Sequence, residues 1–418
     1  MKAEIITIGD ELLIGQVIDT NSTWIAEQLN DVGIEMHFKC TVSDNKYAIL
    51  QALKDAEKRS NLVILTGGLG PTKDDITKHT FCEYFNTNLI RNKKVELWVE
   101  EIFKKRNLPV IDVNLMQADL PENCEVLWNR SGTAPGMWFE NNSVIFASFP
   151  GVPFEMKTIF KEEFLPKISK IKTLPSIVHR TIQTCSLGES FLAKRIEHIE
   201  NNLPSHIRLA YLPNIGTVRL RFSAYGNNAE ALHHEIDEIV SKLKEVIGEH
   251  IYAEGEQSLS EVLGKILLDK GETIATAESC TGGFLSHLIT SVAGSSAYYK
   301  GSIIAYDNSI KKSELKITDE ILNNHGAVSE ACVVEMASQI RRKFNTNYAI
   351  ATSGIAGPGG GTIDKPVGTV WIGIASKNET KAYMFNMGDN RERTILRTAL
   401  MGMDLLRKLI LKNRANGL

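Results

Sequence analysis

The residues with the clearest chemical potential surround a serine in the second half of the chain. Ser279 lies within TAESCTGG, residues 276–283, and Lys311 follows in a second polar string. A serine hydroxyl is a weak nucleophile that needs a base, and a poorly solvated lysine loses its proton readily enough to act as one. Cys280 is a rival nucleophile on composition alone. The pattern predicts nucleophilic catalysis, and the alternatives are an ordinary tight turn and a solvated surface lysine.

The expected secondary structure places these residues at one edge of a sheet. Residues 272–275 form a short stretch with β-branched side chains, which indicates a buried strand. Residues 284–289 have the apolar spacing of a helix. Ser279 then lies on a strand-to-helix turn, where free N–H groups of the new helix point at whatever the hydroxyl attacks. Another strand is expected over 301–306, with Lys311 in the loop after it.

Glycines beside these strands leave room for a ligand to approach the backbone closely. Two follow the serine, and the string SGIAGPGGG, residues 353–361, follows a further expected strand. The N–H groups of such a loop can be directed at an oxyanion or a phosphate, although a flexible surface loop has the same composition. We expect substrate contacts at Thr281, Gly282, Gly283, Ser353 and Gly354.

Five strings in this half together resemble one known domain. In chain order they are AESCTGG, GSIIAYDNSIK, HGAVSE, SGIAGPGGG and KPVGTVWIG. They are similar to the nicotinamide mononucleotide (NMN) amidohydrolase domain, also called the PncC domain. The resemblance implies a serine amidohydrolase that needs no cofactor and converts NMN and water to nicotinate mononucleotide and ammonia. It also implies that Ser279 is the nucleophile, Lys311 its base and Tyr306 an orienting partner, and it weighs against Cys280.

The whole composition is that of an ordinary soluble globular protein of two or three domains. The 418 residues are 43% hydrophobic and 23% charged, with a formal net charge of −3. This charge gives no electrostatic reason to expect a nucleic-acid or membrane partner. The six cysteines are scattered without a C-x-x-C pair, and no run approaches eighteen apolar residues. We therefore expect a cytoplasmic protein without a signal peptide or membrane span.

The first half alternates strands and helices. Strands are expected over 3–8, 34–42 and 62–66, and helices over 21–32, 45–59 and 74–85. This alternation predicts an α/β fold, a doubly wound sheet covered on both faces in three layers. Such sheets bind ligands beyond the carboxyl ends of their strands.

Two polar loops lie at those strand ends. The glycines of TGGLGPTKDD, residues 66–75, are Gly67, Gly68 and Gly70, and they could cradle a phosphate at a helix N-terminus. Their spacing fits neither a Walker loop nor a Rossmann fingerprint. Four acids could hold a hard divalent cation through oxygen ligands, namely Asp10, Glu11, Asp74 and Asp75. The alternative role of the last two is to complement the dipole of the helix they are expected to open.

Four strings of this half also carry a resemblance. They resemble the molybdopterin-binding fold and are, in chain order, GDELLIGQVIDTNS, TGGLGPTKDD, NRSGTAPG and FPGVP. The first two strings resemble one family with this fold in particular, the competence- and damage-inducible protein A (CinA) family. The family resemblance implies an ADP-ribose pyrophosphatase that uses Mg²⁺, Mn²⁺ or Co²⁺ and releases AMP and ribose 5-phosphate. The alternative is a binding protein of competence or DNA repair that holds a nucleotide or a pterin without hydrolysis.

Between the halves, residues 176–250 have a β-α-β-β-α pattern that resembles a small α+β KH-like module. RNA-binding KH modules need a basic face and a G-x-x-G loop. This segment has no such loop, and its eight Lys and Arg residues are balanced in charge by nine Asp and Glu residues, which leaves no basic excess. We expect an architectural module that mediates self-association as a homodimer. The predicted domains are 1–172, 176–250 and 256–415, with linkers at 173–176 and 248–257.

A long helix is expected to begin at Arg391 and to close the chain. Arg391, Arg393 and Arg397 cluster near its start, where they could meet the phosphate of a mononucleotide. We take Arg397 as the candidate substrate contact. The alternative is that all three are solvated on the surface.

Overall fold

The structure is a computed structural model that describes residues 1–72, 75–171 and 175–415. The candidate ligand Asp74 and residues 172–174, which include the first two residues of the predicted linker at 173–176, lie outside the described residues. The chain divides into two units, one of Met1–Val178 with Tyr225–Leu232 and the other of His179–Ala224 with His233–Leu418. In the described part of the chain, no helix is long and apolar enough to cross a membrane.

The N-terminal domain alternates strands and helices as expected and adds a strand hairpin. Its strands are β1 (Lys2–Ile8), β2 (Glu35–Val42), β3 (Leu62–Thr66), β4 (Leu89–Arg91), β5 (Asp119–Pro121), β6 (Glu125–Leu127), β7 (Gly136–Asn141) and β8 (Val144–Phe149). Its helices are α1 (Asp10–Leu13), α2 (Thr20–Asp31), α3 (Lys46–Arg59), α4 (Thr77–Tyr84), α5 (Lys93–Lys105), α6 (Asp112–Leu115), α7 (Pro153–Ile159) and α8 (Leu165–Ile171).

The central sheet of this domain has six strands in the order β2-β1-β3-β8-β7-β6. The pairs β1–β2, β1–β3 and β3–β8 are parallel, and β7 pairs antiparallel with both β8 and β6. Successive side chains of a strand face opposite sides of a sheet. Accordingly Ile5 of β1 packs in a core cluster with α2 and α7, whereas Ile6 packs in a second cluster with α3 and α4. The sheet is therefore covered on both faces, as the alternation predicted.

The middle module, residues 176–254, is a four-stranded sheet with two helices. Its strands lie in the order β10-β11-β9-β12. In chain order the elements are β9 (Ser176–Cys185), α9 (Glu189–Glu200), β10 (Ile207–Asn214), β11 (Thr217–Gly226), α10 (Ala229–Ile247) and β12 (Ile251–Glu254). The last strand pairs antiparallel with β9. The expected linker at 248–257 is thus partly a strand, because four residues there gain ladder hydrogen bonds at a sheet edge.

The C-terminal domain repeats the layered design on a smaller sheet. The strands are β13 (Ile274–Glu278), β14 (Tyr299–Ile304), β15 (Tyr348–Gly354), β16 (Thr369–Ala375) and β17 (Thr380–Asn386). The helices are α11 (Leu259–Lys270), α12 (Phe284–Thr290), α13 (Asn308–Leu315), α14 (Asp319–Asn324), α15 (Glu330–Phe344) and α16 (Arg391–Ala415). The strand order is β14-β13-β15-β16-β17, and β13 lies between β14 and β15 and is parallel to both.

The two faces of this second sheet are covered by different helices. Ile274 and Ile350 pack in a core cluster with α11, α12 and α16, while Ala275 and Ala349 pack with α15 on the other side. Because β13 and β14 are parallel, their carboxyl ends meet at one edge. The residues after both strands, which include Ser279 and Lys311, are thereby brought together.

Candidate active sites

Ser279 lies directly after β13, on the strand-to-helix turn that the sequence predicted. Its backbone N–H donates to the carbonyl of Thr352 at 2.9 Å, which ties the turn to the neighbouring strand β15. Gly282 and Gly283 have φ of 58° and 98°, a region that glycine adopts without strain. These glycines let the chain reverse into α12 within five residues, so that the Ser279 side chain stands at the sheet edge.

Lys311 lies on a helix rather than in a loop. Strand β14 ends at Ile304, and the Asp307 carboxylate accepts the N–H of Ser309 at 2.7 Å, which caps the start of α13. An Asp at this position satisfies a free helix donor and so favours early helix formation. The first turn of α13 then directs the Lys311 side chain inward, where it is only 1% exposed.

The Lys311 amine contacts Ser279 and two carbonyl groups. Nζ lies 3.2 Å from Ser279 Oγ, 2.8 Å from the Ala305 carbonyl oxygen and 3.0 Å from that of Tyr306. A neutral amine has two N–H donors and one lone pair. In that neutral form, with both donors on the carbonyl groups, the lone pair would face the serine hydroxyl as a general base requires, whereas an ammonium would donate to all three oxygens.

Burial acts in opposite directions on the two rival groups of this site. Desolvation lowers the pKa of Lys311 below its usual value, which favours the free amine. The same effect raises the pKa of the Cys280 thiol to about 12, so the thiolate is absent at neutral pH. Burial thus disfavours Cys280 as a nucleophile, and the choice of Ser279 stays a prediction.

Tyr306 is placed differently from the expected orienting partner. Its carbonyl oxygen accepts from Lys311, but its hydroxyl accepts from Arg391 Nη2 at 3.1 Å. Arg391 also donates through Nη1 to the carbonyl of Gly357 at 2.9 Å. The Tyr306 side chain is 59% exposed, and it holds a guanidinium at the mouth of the site rather than the serine–lysine pair.

These groups line one cavity of about 290 Å³. Ser353 and Gly354 line it as expected, and the hydroxyl of Ser353 donates to the Ala327 carbonyl at 2.7 Å. Ala327 and Val328, from the HGAVSE string, form another part of the wall. The volume and the mixture of backbone groups with one exposed cation suit a small polar ligand.

Glu278 is the site residue that sequence reasoning missed. It is the last residue of β13 and is fully buried. Its carboxylate accepts the N–H groups of Gly283, Leu285 and Ser286 at 3.0, 3.1 and 2.8 Å. It also accepts the hydroxyls of Thr281 and Ser286. The first donors of α12 are therefore satisfied by Glu278 and do not point toward a substrate. An acid that ends a buried strand, just before a glycine turn, was the available signal.

The predicted substrate contacts at Thr281, Gly282 and Gly283 are corrected by this arrangement. None of the three lines the cavity. The Thr281 hydroxyl lies 2.7 Å from Glu278 Oε2 and 2.8 Å from Thr352 Oγ1, behind the serine. These residues shape the turn instead of contacting a ligand.

The cation at the cavity is Arg391, not Arg397. Six residues separate them, and at 100° per residue their side chains leave α16 in different directions. Arg397 donates through Nη1 to the carbonyl of Met387 at 2.9 Å and does not line the cavity. The long helix does begin at Arg391, as expected.

The N-terminal domain holds a second cavity, of about 460 Å³, beyond the carboxyl ends of β1 and β3. Its lining includes Gly67, Gly68 and Gly70, as predicted from the glycine loop. Gly68 has φ 63°, and a Cβ there would lie 2.3 Å from Thr77 Oγ1. The loop must therefore stay free of side chains to pack against the start of α4.

The four predicted metal ligands are distributed unevenly around this cavity. Glu11 and Asp75 line it, Asp10 does not, and Asp74 lies outside the described residues. Helix α4 begins at Thr77, so Asp75 does not open it. Instead Asp75 accepts the N–H groups of Gly70 and Thr72 at 2.8 and 2.9 Å and closes the loop. Within residues 1–72, 75–171 and 175–415, no group of three or more His, Cys, Asp or Glu is arranged to hold a metal.

Two amide side chains in the same lining were not predicted. Asn21 donates through Nδ2 to the carbonyl of Gly151 at 2.7 Å and so joins the GDELLIGQVIDTNS and FPGVP strings. Its Oδ1 is buried without a hydrogen-bond partner, and so is Oε1 of Gln117. Asn21 was within a string already singled out, whereas nothing in the sequence around Gln117 distinguishes it.

Comparison with protein families divides the chain into the same three parts. Residues 4–170 match the model described as probable molybdopterin binding domain, and residues 179–253 match the damage-inducible protein CinA KH domain. Residues 256–410 match the CinA C-terminal domain. The three matches follow the order that the sequence predicted.

Similar proteins extend over nearly the whole chain. A CinA-like protein of Flavobacterium psychrophilum is 49% identical over 418 residues, covering 99% of each chain. One from Cytophaga hutchinsonii is 48% identical over 406 residues, covering 97% of each. The crystal structure of a competence/damage inducible protein from Agrobacterium tumefaciens is 33% identical, covering 37% of this chain and 96% of that one, with a TM-score of 0.35. From the full-length relatives and the three family matches together, this chain belongs to the CinA family.

Proposed function

We propose that the C-terminal domain is a serine amidohydrolase that deamidates NMN to nicotinate mononucleotide. The observation that carries the proposal is the buried Lys311 amine, which lies 3.2 Å from Ser279 Oγ and contacts two backbone carbonyl oxygens, so that its neutral form would direct the lone pair at the serine. Burial of the amine favours its unprotonated form. Together these features supply the activated hydroxyl that amide hydrolysis needs.

In the proposed reaction, Ser279 Oγ attacks the amide carbonyl carbon while its proton passes to Lys311 Nζ. The tetrahedral intermediate collapses as Lys311 returns the proton to the departing nitrogen, and ammonia leaves. Water then attacks the acyl ester with Lys311 again as base, which releases the carboxylate and restores the serine. Since Glu278 takes the donors of α12, the oxyanion would be stabilised by N–H groups of the glycine loop that lines the cavity.

The substrate class is proposed from the charge at the cavity mouth. The guanidinium of Arg391 is exposed and held by Gly357 and Tyr306. A planar guanidinium is well suited to a phosphate oxygen pair. A mononucleotide could therefore place its phosphate at Arg391 and its amide at Ser279.

The decisive experiment is substitution of the proposed nucleophile. Ser279→Ala should abolish ammonia release from NMN, because Ser279 carries the one hydroxyl among the described residues that is hydrogen-bonded to the Lys311 amine. The variant should keep any hydrolysis of ADP-ribose, since that cavity belongs to the other unit. A coupled ammonia assay and chromatography of both products measure the two reactions. Substantial residual deamidation would transfer the role to Cys280 or to a directly attacking water.

We also propose that the N-terminal domain hydrolyses ADP-ribose to AMP and ribose 5-phosphate. The observation favouring it is the 460 Å³ cavity walled by the glycine loop at a helix start, a setting suited to a pyrophosphate. A divalent cation (Mg²⁺, Mn²⁺ or Co²⁺) would polarise the phosphoryl group and activate a water when bound. The proposed holders of this cation are Asp10, Glu11, Asp74 and Asp75, of which Glu11 and Asp75 line the cavity.

The test of this second activity is AMP release by purified protein supplied with each of the three cations. AMP should appear with at least one cation and be absent without any. If no cation supports AMP release while ADP-ribose still binds, the alternative of a nucleotide-binding or pterin-binding protein of competence or repair replaces it.

Two expectations about the protein's surroundings are kept as proposals. We propose a reducing cytoplasm, since all six cysteines are free thiols. We also propose a homodimer formed through the middle module, with neither nucleic acid nor membrane as partner. Sedimentation of the purified protein measures the oligomeric state directly.

A further inference from the structure

We infer that the middle module belongs to the substrate-binding machinery of the C-terminal domain, because it clamps α16 and thereby positions Arg391. This inference rests on the proposed function of that domain. Its residues are positioning residues: none of them lines the cavity, and they act through the helix that carries Arg391. The module is attached to α16 at four points, and the start of the helix makes two contacts at the cavity.

One stripe of α16 faces the middle module. The stripe comprises residues at i, i+3, i+4, i+7 and i+10, which share one side of an α-helix, namely Arg397, Leu400, Met401, Asp404 and Arg407. At its first position the two-residue turn between β10 and β11 lies against the helix. A Cβ on Gly216 of that turn would lie 3.0 Å from Leu400 Cδ1 and 3.7 Å from Arg397 Cγ.

The far end of the stripe is an ion pair closed by the module. Asp404 is fully buried, and Arg407 lies 2.7 Å from it and is 4% exposed. The Ser186 hydroxyl, at the end of β9, donates to the Asp404 carboxylate. A buried ion pair is stable only when its remaining polar groups are also satisfied, and here Ser186 of the module shares that role with Lys408 of α16, whose Nζ lies 2.9 Å from Asp404 Oδ2.

Arg407 is the strongest single attachment. Its Nη1 donates to the carbonyl of Ile251 at 3.1 Å and its Nη2 to that of Glu249 at 3.0 Å. Both carbonyls belong to the segment that ends the module. The planar fork of arginine makes all these bonds at once, which lysine cannot do. The helix is therefore fixed in both position and rotation.

The opposite end of the same helix enters the active site. Asp404 lies thirteen positions after Arg391, which is about 20 Å of continuous helix at 1.5 Å per residue. Arg391 contacts Gly357 of the glycine loop and the Tyr306 hydroxyl, and no other described α16 side chain lines the cavity. A shift of the helix along its axis would thus move the only α16 group that meets the proposed substrate.

The test uses Arg407→Lys, which keeps the positive charge beside Asp404 but removes the guanidinium that donates to the carbonyls of Ile251 and Glu249. Arg341→Lys is the matched control. Arg341 also donates to a backbone carbonyl, that of Thr346 at 3.3 Å, but it lies on α15, away from the module. Both variants are made in the parent chain and in Arg391→Ala. The full-length proteins are compared in KM and kcat for NMN.

We expect Arg407→Lys to raise KM for NMN roughly three- to tenfold with kcat little changed, and Arg341→Lys to change neither. In the Arg391→Ala background, Arg407→Lys should have no further effect, since the positioned group is gone. An equal KM increase in both backgrounds, or a fall in kcat alone, would overturn the inference and leave Arg407 a purely structural residue.

Hydrogen–deuterium exchange separates this inference from the proposed function. Peptides covering residues 391–397 should exchange faster in Arg407→Lys than in the parent, while peptides of α15 stay unchanged. Unchanged exchange at 391–397 refutes the clamp even if NMN is deamidated. Faster exchange in a protein that does not deamidate NMN would support the clamp and reject only the amidohydrolase function.

Discussion

At the scale of single residues, the amine of Lys311 is the group on which the proposed chemistry depends. It is buried, its two carbonyl contacts are backbone groups that cannot move independently, and it faces one hydroxyl. The three hydrogen-bond partners of this amine are neutral oxygens, whereas a structural cation is more often paired with a carboxylate. These contacts favour a base, and substitution separates the two roles.

Lys311→Arg tests this distinction. Arginine keeps the positive charge but does not deprotonate, so the variant should lose the base and lower kcat for NMN by roughly 10²- to 10⁴-fold. Lys311→Ala should be similarly inactive. Lys312→Arg, at an exposed neighbour paired with Asp319, is the matched control. An Lys311→Arg variant with close to the parent rate would require Lys311 to be a phosphate-binding or structural cation.

The pH profile of the parent gives an independent check on the same residue. Only the free amine acts as base, so kcat/KM should rise with pH through the pKa of Lys311. Desolvation lowers this pKa from its usual 10.5, so the rise should be complete at a lower pH than an exposed lysine would give. A profile that falls with increasing pH over this range would contradict the assignment.

Tyr306 was expected to hold the serine–lysine pair, whereas its hydroxyl lies on Arg391. Tyr306→Phe should therefore raise KM for NMN by roughly fivefold, the loss of about 1 kcal/mol, and leave kcat nearly unchanged. Steady-state kinetics separate the two constants. Tyr348→Phe, which removes a hydroxyl bonded to Glu272 away from the cavity, is the control. A large fall in kcat would restore the orienting role.

At the scale of elements, the turn from β13 to α12 shows how a helix start can be closed to substrate. Free N–H groups at a helix N-terminus normally attract anions. Here Glu278 fills that position from within the chain, with five contacts to the residues that follow it. The turn is thereby made rigid under the nucleophile, and the anion-stabilising role passes to the glycine loop across the cavity.

Glu278→Gln tests the structural importance of this closure. The amide keeps the volume but offers one oxygen and a donor where five donors converge, so some N–H groups lose their partner. We expect a stability loss of about 2 to 3 kcal/mol, measured by urea unfolding, and a lower kcat for NMN with little change in KM. Glu261→Gln, at the exposed capping box that opens α11, should lose much less. Equal losses would show that Glu278 acts only as an ordinary cap.

At the scale of the whole molecule, the two cavities belong to separate units and need different chemistry. The serine–lysine cavity contains its own nucleophile and base. The glycine-loop cavity offers backbone donors and carboxylates but no comparable nucleophile, so its proposed reaction needs a cation and water. The two proposed substrates share a mononucleotide-like phosphate group, which is consistent with two phosphate-directed cavities in one chain.

Chelation should separate the two activities. Treatment with excess EDTA should abolish AMP release from ADP-ribose and leave ammonia release from NMN unchanged, since no step of the serine–lysine reaction involves a metal. Re-addition of a divalent cation should restore only the first activity. Parallel chromatography of both products measures this, and loss of NMN turnover on chelation would contradict the cofactor-free proposal.

The sequence by itself determined the layered α/β architecture, the position of Ser279 on a strand-to-helix turn and the family. These features depend on local periodicity and on short strings whose residues are adjacent in the chain. Strand β3 has the predicted bounds, and α16 begins at the predicted residue. Such features follow from hydrophobic periodicity and residue propensity, which are visible along the chain.

Only the tertiary structure decided which side chains share a cavity. Arg391 and Arg397 are equivalent candidates in the sequence. Because they leave α16 in different directions, Arg391 lies at the cavity and Arg397 lies beside the middle module. In the sequence, Glu278 cannot be distinguished from any other acid at the end of a strand. Its hydrogen bonds form only because the start of α12 packs against it. The fold buries the Lys311 amine and places it 3.2 Å from Ser279 Oγ, and its proposed role as base depends on both. Direction, burial and the satisfaction of donors are set by packing between distant segments, which the order of residues does not specify.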